Sequence, residues 1–310
     1  AINENEWEKV SRFSDHRRDT QKWDGTPREL VEEKYLDPFI TFVCPPIMMR
    51  DLMTHTAGLS YTLDMRHPVN RMFRDQRVLN PREPLQTMID KMAMLPLLAQ
   101  PGTRWIYSSA VDAQSYLVEK LSGQTFAEFL DERIFGPLEM GDTAFYVPAS
   151  ELGRVAARHR LDAQDVLERL SGREPLTVMP QGPTGGAGLY STADDYLRFT
   201  QMLLNGGELN GVRLLAPRTV EMMRTNHMSE EATRNMRSGM GFGMDFMVYM
   251  DPAAAGEPHS PGSYYWLGID GTWFWIDPAL DFTFVGMMQH TPYGRVHGLS
   301  RNLAYQAVIN

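Results

Sequence analysis

The sequence is poor in the residues that build covalent or metal cross-links. Its 310 residues include one cysteine, Cys44, which excludes an internal disulfide bond. No spacing of cysteine and histidine residues matches the pattern of a structural zinc site. No apolar run approaches the ~20 residues that a membrane-spanning helix needs. With 43% hydrophobic and 22% charged residues, the chain has the composition of a globular protein that is held together by its core.

Lysine and net positive charge are also scarce. Lysine occurs at five positions, and 39 acidic residues outnumber 30 basic ones, which gives a formal net charge of −9. With a pI near 5.4, the protein lacks the basic face that binds nucleic acid, and nothing attracts it to anionic membranes. Residues 1–10 are polar and acidic, so they do not form a signal peptide. We expect a soluble protein of the cytoplasm, or of the periplasm with any signal already removed.

Three regions of the chain differ in their residue patterns. Residues 1–44 form a highly charged, atypical N-terminal segment. Residues 45–235 have a mainly α-helical pattern, and residues 236–310 alternate like antiparallel strands before a terminal helix over residues 299–309. Helices followed by a strand meander predict an α+β fold, with a helical region packed on an antiparallel sheet.

Several elements within these regions have clear local signals. A helix is predicted over residues 110–121, with Gly123 as its C-terminal cap. Another helix is predicted over residues 161–170, and Ser191 is predicted to open a third one through a capping box. The glycine-rich residues 182–188 do not follow a predicted strand. We interpret them as a flexible entry to the helix after Ser191 rather than as a phosphate-binding loop.

Three short motifs carry chemistry in combination. They are DLMTHTAGL at residues 51–59, YSS at residues 107–109, and WLG at residues 266–268, just before a predicted strand. With these motifs the chain resembles the serine β-lactamase/penicillin-binding-protein-like superfamily, from about Val31 or Ile47 to the C-terminus. It looks most like the branch of class C β-lactamases and family VIII carboxylesterases. The resemblance implies a β-lactamase-like fold, a carboxylesterase-type serine hydrolase with an acyl-enzyme mechanism, and no metal or organic cofactor.

The resemblance also implies roles for four residues. Tyr107 matches the tyrosine that transfers protons, and Gly268 would offer its backbone N–H to the oxyanion, an interaction worth ~3 kcal/mol of barrier. Ser109 and Trp266 would contact the substrate. Trp266 stands where β-lactamases carry a lysine that holds a substrate carboxylate, which favours a small neutral ester, with weak β-lactam or amide hydrolysis beside it. Tyr107 and Trp266 also have an interpretation as packing residues, and we interpret His55 of the first motif as structural.

The nucleophile that this mechanism needs is not found. The superfamily carries it in a Ser-x-x-Lys motif, in which the lysine lies one helical turn after the serine. None of the 15 serines has a lysine three residues later. Ser14 is followed by Arg17, but arginine stays protonated and is a poor general base. Three explanations stay open: a truncated or altered N-terminus, a relative that has lost catalysis, or replacement by Ser60, Ser108 or Cys44.

The missing motif leaves a second function open. The alternative to a serine hydrolase is a catalytically inactive or truncated relative that retains the cleft for binding only. Residues 1–38 are too few to hold the strands that precede the motif in the superfamily, so we expect the sheet to lack its N-terminal strands. A sheet without them has an open edge, and open edges pair with other chains. We therefore expect a homo-oligomer.

Overall fold

The computed structural model describes residues 46–162, 164, 166–172, 174–291 and 294–308. The predicted N-terminal segment, residues 1–44, lies outside these residues. The prediction that the sheet lacks its N-terminal strands and the candidate nucleophile Cys44 therefore also lie outside them. The described chain forms two compact units, and each is made of separate stretches of sequence. Unit 1 contains residues 46–126, 181–187 and 228–236, and unit 2 contains the remaining described residues.

The described chain contains both helices and strands. The helices are α1 (Met49–Met53), α2 (Pro68–Asp75), α3 (Leu85–Ala93), α4 (Ala110–Ser122), α5 (Phe126–Leu130), α6 (Ala193–Leu204), α7 (Pro217–Met223), α8 (Glu230–Thr233), α9 (Pro252–Ala255) and α10 (Gly294–Ala307). The strands are β1 (His159–Leu161), β2 (Leu167–Arg169), β3 (Glu208–Leu209), β4 (Val212–Arg213), β5 (Met240–Phe242), β6 (Met247–Tyr249), β7 (Tyr264–Leu267), β8 (Trp273–Asp277), β9 (Phe282–Gly286) and β10 (His290–Thr291). A π-helical turn at Asp131–Phe135 follows α5, and a 3₁₀ helix spans Ala149–Arg154. Among the helices described, none is both long and apolar enough to cross a bilayer.

Helix α4 of unit 1 confirms its prediction to within one residue. It ends at Ser122 because Gly123 takes a left-handed conformation with φ of +74°, and the Gly123 N–H donates to the Glu119 carbonyl at 3.0 Å. Glycine adopts this conformation at no steric cost, so it is the usual residue after a helix. The inner face of α4 buries Ala113 and Tyr116. This face gives α4 its place in the core of unit 1.

Unit 2 is built on an antiparallel meander of five strands, in the order β5-β6-β7-β8-β9. Side chains of a strand alternate between the two faces of a sheet, so β8 contributes to both. On one face, Phe274 lies 5.4 Å from the ring of Tyr196 on helix α6. On the other face, Trp275 stacks with Tyr305 on helix α10, with ring centroids 6.2 Å apart. Helices on both faces of an antiparallel sheet confirm the predicted α+β class.

Strands β1 and β2 form a hairpin where a helix was predicted over residues 161–170. Strands β1 and β2 pair antiparallel, with Leu161 opposite Leu167. The Asp162 carboxylate accepts the N–H groups of Gln164 and Val166 at 2.9 and 2.8 Å, which closes a turn between the strands. Aspartate side chains compete with helices by bonding nearby N–H groups in this way. The prediction was wrong because the apolar spacing outweighed this turn signal.

The N-terminal cap of helix α6 lies one residue later than predicted. The hydroxyl of Thr192 accepts the N–H of Asp195 at 3.2 Å. The hydroxyl of Ser191 instead lies 2.7 Å from that of Thr143. Ser191 therefore joins two segments of unit 2, and Thr192 satisfies the free N–H groups of the helix.

Candidate active site

Polar contacts at both ends of helix α1 hold the first site motif in place. The Asp51 carboxylate accepts the backbone N–H of Met48 at 2.8 Å, at the start of the helix. The hydroxyls of Thr54 and Thr56 lie 2.8 Å apart at its end, and both are buried. Buried polar groups that find partners hold a backbone in one arrangement. These contacts therefore fix the turn at the intervening residue, His55.

Backbone hydrogen bonds lay the second site motif beside the first. The N–H of Ile106 donates to the His55 carbonyl at 2.9 Å, and the N–H of Ser109 donates to the Ser60 carbonyl at 3.2 Å. Tyr107 lies between these two anchored positions. The motifs are far apart in sequence, yet the two segments run side by side in unit 1 and place Tyr107 next to His55.

The ring of Tyr107 belongs to an aromatic group. Its centroid lies 4.9 Å from that of His55 and 5.8 Å from that of Tyr61, whose ring contacts Phe73 at 5.9 Å. Burial, together with the charges of Asp112 and Tyr107, raises the pKa of Tyr61 well above its usual value. Tyr61 therefore stays neutral, while Tyr107 keeps partial exposure. A proton-transfer residue needs this combination of a fixed ring and access to substrate.

His55 is a neutral hydrogen-bond acceptor rather than a charged group. Its side chain is buried, and this burial lowers its pKa to about 3. Its Nδ1 accepts the backbone N–H of Ser108 at 3.3 Å, so the ring proton belongs on Nε2. The Ser108 hydroxyl lies 3.4 Å from the same Nδ1. A serine next to a histidine is the residue pair found in activated nucleophiles. Whether Ser108 can act as a nucleophile depends on the exposure of its hydroxyl.

The serines beside Tyr107 are too enclosed to attack a substrate. Ser60 and Ser108 are each 3% exposed. A nucleophilic oxygen has to approach a substrate carbonyl to about 3 Å, which a hydroxyl without open surface cannot do. The geometry therefore argues against Ser60 and Ser108 as replacements for the missing nucleophile, and Cys44 lies outside the described residues.

The predicted contact of Ser109 with a substrate stays a prediction, and the burial of its side chain argues against it. The residue has no exposed surface, and its hydroxyl donates to the Ser60 carbonyl at 2.9 Å. A hydroxyl whose proton is already donated to a buried carbonyl offers no donor to a substrate. Ser109 instead precedes the first residue of helix α4 and ties the start of that helix to Ser60.

The glycine-rich stretch packs against helix α4, which replaces the prediction of a flexible entry with a contact. The Gly186 N–H donates to the Asp112 carboxylate at 3.2 Å. A Cβ atom on Gly186 would lie 2.6 Å from this carboxylate, and one on Gly185 would lie 2.5 Å from the Val111 carbonyl. Only glycine fits at such approaches. Burial raises the pKa of Asp112 to about 6. Sequence reasoning missed Asp112 because its partner lies 74 residues away.

Trp266 lies in unit 2, on strand β7. Its ring meets that of Phe242 edge to face, with centroids 5.5 Å apart, and it packs against the buried core of unit 2. These contacts match the packing interpretation of Trp266. The side chain is only half buried, so its predicted contact with substrate stays a prediction.

The predicted role of Gly268 as an oxyanion donor stays a prediction, and the hydrogen bond that its amide makes argues against it. Its N–H donates to the Thr272 carbonyl at 2.7 Å, which closes the loop between β7 and β8. An amide that already donates inside a loop cannot point at a substrate oxygen. Glycine is required here for another reason, since a Cβ atom would lie 2.3 Å from the Thr272 hydroxyl. The next amide, that of the exposed Ile269, donates to no backbone carbonyl in the part of the chain that the structure describes.

The four predicted site residues divide between the units. Tyr107 and Ser109 belong to unit 1, and Trp266 and Gly268 belong to unit 2. Within each unit the two predicted residues lie on one continuous segment. No three His, Cys, Asp or Glu side chains of the described residues lie together in a way that could hold a metal ion.

Comparison with known families adds a decisive observation. The family model described as "Beta-lactamase" matches residues 22–307, and this range includes all three motifs. The chain belongs to the β-lactamase family. The resemblance on which the sequence analysis relied is thereby confirmed.

Individual relatives of this β-lactamase-family chain include esterases. An uncharacterized protein of Mycobacterium tuberculosis is 38% identical over 255 residues, which are 79% of this chain and 63% of that protein. Esterase EstB of Burkholderia gladioli is 29% identical over 273 residues, 82% of this chain and 67% of EstB. Among solved structures, EstCE1, "a hydrolase with promiscuous acyltransferase activity", has a TM-score of 0.74 at 25% identity, covering 96% of this chain and 81% of EstCE1. These similarities confirm the β-lactamase-like fold.

Proposed function

We propose that this protein is a serine hydrolase of the carboxylesterase type, which cleaves small neutral esters through an acyl-enzyme. The observation that carries the proposal is the position of Tyr107, which is half-buried and anchored by backbone hydrogen bonds of the residues on both sides. The esterases among its relatives support the same substrate class. The chain spans 63% of the length of the Mycobacterium tuberculosis relative that it matches.

The proposed mechanism assigns proton transfer to Tyr107. Tyr107, acting as its phenolate, takes the proton of a serine hydroxyl while the serine oxygen attacks the ester carbonyl, and it gives this proton to the departing alcohol. A water then attacks the acyl-serine, Tyr107 takes the proton of the water and returns it to the serine oxygen, and the carboxylic acid leaves. The exposed turn after strand β7 supplies the oxyanion donor, and we assign this role to the Ile269 amide because the Gly268 amide is engaged. Trp266 brings no cation to the site, so a neutral ester is preferred and β-lactam or amide cleavage stays weak.

A binding protein without turnover is the second candidate. Two observations favour it: the sequence contains no Ser-x-x-Lys motif, and the serines next to Tyr107 are buried. Such a protein would keep Tyr107 and Trp266 for recognition of the same ligands. Covalent reactivity is the property that separates the two candidates.

Labelling with a fluorophosphonate probe tests the proposal directly. We expect one adduct per chain on a single serine, mapped by mass spectrometry after digestion, because only an activated serine reacts with the probe. In Tyr107→Phe the labelling rate should fall about 100-fold or more, since general-base help is worth 10²–10⁴-fold. Tyr146→Phe, at a half-buried tyrosine of unit 2, is the control that should keep the wild-type rate. A folded sample that takes no label rejects the hydrolase and leaves the binding protein.

We also propose that the protein forms a homo-oligomer through the edge of the five-stranded sheet. Within the described residues, β5 and β9 are the outer strands and each pairs on one side only. Unpaired strand edges recruit other strands. Light scattering should give a mass of at least two 35.3-kDa chains. A mass of one chain at micromolar concentration contradicts this part of the proposal.

A further inference from the structure

His55 accepts backbone hydrogen bonds from the residues on both sides of Tyr107. Its carbonyl accepts the N–H of Ile106, the residue before Tyr107, at 2.9 Å. Its ring Nδ1 accepts the N–H of Ser108, the residue after Tyr107, at 3.3 Å. The ring itself lies against the Tyr107 ring with centroids 4.9 Å apart. A single residue thus contacts Tyr107 on both sides of its backbone and on its side chain.

The backbone of His55 adopts a conformation that histidine rarely takes. Its φ is +54°, in the left-handed region, although the residue is not glycine. This conformation costs free energy for a residue with a Cβ atom and persists only where the surroundings require it. Here it turns the carbonyl and the ring of one residue toward the two amides that flank Tyr107 in another segment. Strained residues of this kind concentrate at functional sites.

We propose that His55 is the positioning residue for Tyr107: its carbonyl and neutral Nδ1 hold the two flanking amides, and its ring sets the angle of the tyrosine ring. The consequence for catalysis rests on the proposed function, because it requires Tyr107 to transfer the proton. The positioning itself does not. Depression of the His55 pKa by burial agrees with an Nδ1 that remains an acceptor at neutral pH.

Two substitutions at His55 separate hydrogen bonding from space filling. In His55→Asn, the Oδ1 atom takes the place of Nδ1 relative to the backbone, and asparagine tolerates a positive φ. In His55→Leu, the volume is similar but the acceptor is lost. His67→Leu is the matched control, because His67 Nδ1 also accepts a backbone N–H, that of Val69 at 3.2 Å, in the same unit. The His67 bond caps helix α2 and does not contact Tyr107.

The readouts are NMR signals that do not depend on turnover. With ¹³Cζ-labelled tyrosine, assigned through Tyr107→Phe, the Tyr107 signal should shift or broaden in His55→Leu and stay at its wild-type position in His67→Leu. Exchange of the Ser108 amide should accelerate about tenfold or more in His55→Leu and stay within about threefold in His55→Asn. If esters are hydrolysed, kcat should fall about 10- to 100-fold in His55→Leu with KM nearly unchanged, and His55→Asn should recover most of it.

Each outcome decides the matter. An unshifted Tyr107 signal with a protected Ser108 amide in folded His55→Leu overturns the proposal, as does equal disturbance by His67→Leu. If His55→Leu does not fold, ¹⁵N NMR of the wild-type histidines decides, because a protonated Nδ1 on His55 would rule out the bond from Ser108. Failure of the proposed function would appear separately, as absent fluorophosphonate labelling with these NMR results intact.

Discussion

Gly58→Ala should reduce the free energy of unfolding by about 3–4 kcal/mol, enough to unfold a protein of ordinary stability at elevated temperature. Gly58 has φ of +74°, and a Cβ atom there would lie 2.1 Å from the Ala99 carbonyl oxygen. The Gly58 carbonyl also accepts the N–H of Leu98 at 2.7 Å, so neither segment can move away without breaking this bond. Overpacking against backbone adds to the cost of a positive φ for alanine.

Gly123→Ala is a matched control for this effect. Gly123 has the same φ of +74°, but a Cβ atom there would have nothing within 4 Å. Gly123→Ala should therefore lose only the unfolding free energy that a positive φ costs alanine, about 1 kcal/mol. Urea denaturation of both variants measures the two losses. Equal losses would mean that the contact with Ala99 relaxes freely and that the region around Gly58 is not closely packed.

The close packing at Gly58 bears on the candidate site because the same segment carries His55. The Gly102 N–H donates to the Thr56 carbonyl at 2.9 Å, between the bonds of Gly58 and those of His55. The two segments are thus joined by backbone hydrogen bonds at three positions before the chain reaches Tyr107. The position of Tyr107 depends on a rigid two-segment support rather than on a flexible loop.

Local signals explain which elements of the fold were predicted well. Helix α4 was predicted closely because its end depends on one residue, Gly123, whose backbone freedom is visible in the sequence. The hairpin of β1 and β2 was missed because apolar spacing outweighed the local turn signal, and the further pairing of β1 with β10, at His159 and His290, is too remote in sequence to correct this. Helix α10 begins at Gly294, five residues before its predicted start at Leu299. Tertiary packing extends elements beyond what periodicity alone indicates.

The candidate site shows the same limit at the level of single atoms. The motif at residues 107–109 predicted Tyr107 as a site residue, and in the structure its ring lies 4.9 Å from that of His55 in the first motif. It could not show that the Ser109 hydroxyl donates to the Ser60 carbonyl. Likewise, the WLG motif predicted a site segment just before a strand, but it could not show that the Gly268 N–H donates to the Thr272 carbonyl. A motif predicts residue types and spacing, while the direction of each N–H or O–H follows from contacts across the fold.

His55 and Asp112 should give the protein two opposing dependences of stability on pH. Burial lowers the pKa of His55 from 6.5 to about 3, so the unfolded state binds the extra proton and stability is lost as pH falls from 6.5 toward 3, by roughly 5 kcal/mol in all. Burial raises the pKa of Asp112 from 3.8 to about 6, so the folded state binds the extra proton and stability is lost as pH rises from 4 to 6, by about 3 kcal/mol. Between pH 4 and 6 the two contributions nearly cancel.

Removing one of the two titrating groups should reveal the pH dependence of stability that the other one causes. His55→Asn and Asp112→Asn both keep a hydrogen-bond acceptor and neither new side chain titrates. Relative to wild type, the unfolding free energy of His55→Asn should fall by about 1.4 kcal/mol for each unit by which the pH rises between 4 and 6. That of Asp112→Asn should fall by the same amount for each unit by which the pH drops over this range. Urea denaturation at four pH values measures these difference curves.

The difference curves isolate the two residues because other titrating groups act equally in every variant. His259, whose pKa burial lowers to about 4, belongs to unit 2 and contributes the same slope throughout. The double variant should therefore show a flat difference from wild type between pH 4 and 6. A His55→Asn curve parallel to wild type would mean that His55 is protonated in the folded protein. A protonated Nδ1 cannot accept the Ser108 N–H, so the same result would remove the Nδ1 bond from the support of Tyr107 between pH 4 and 6.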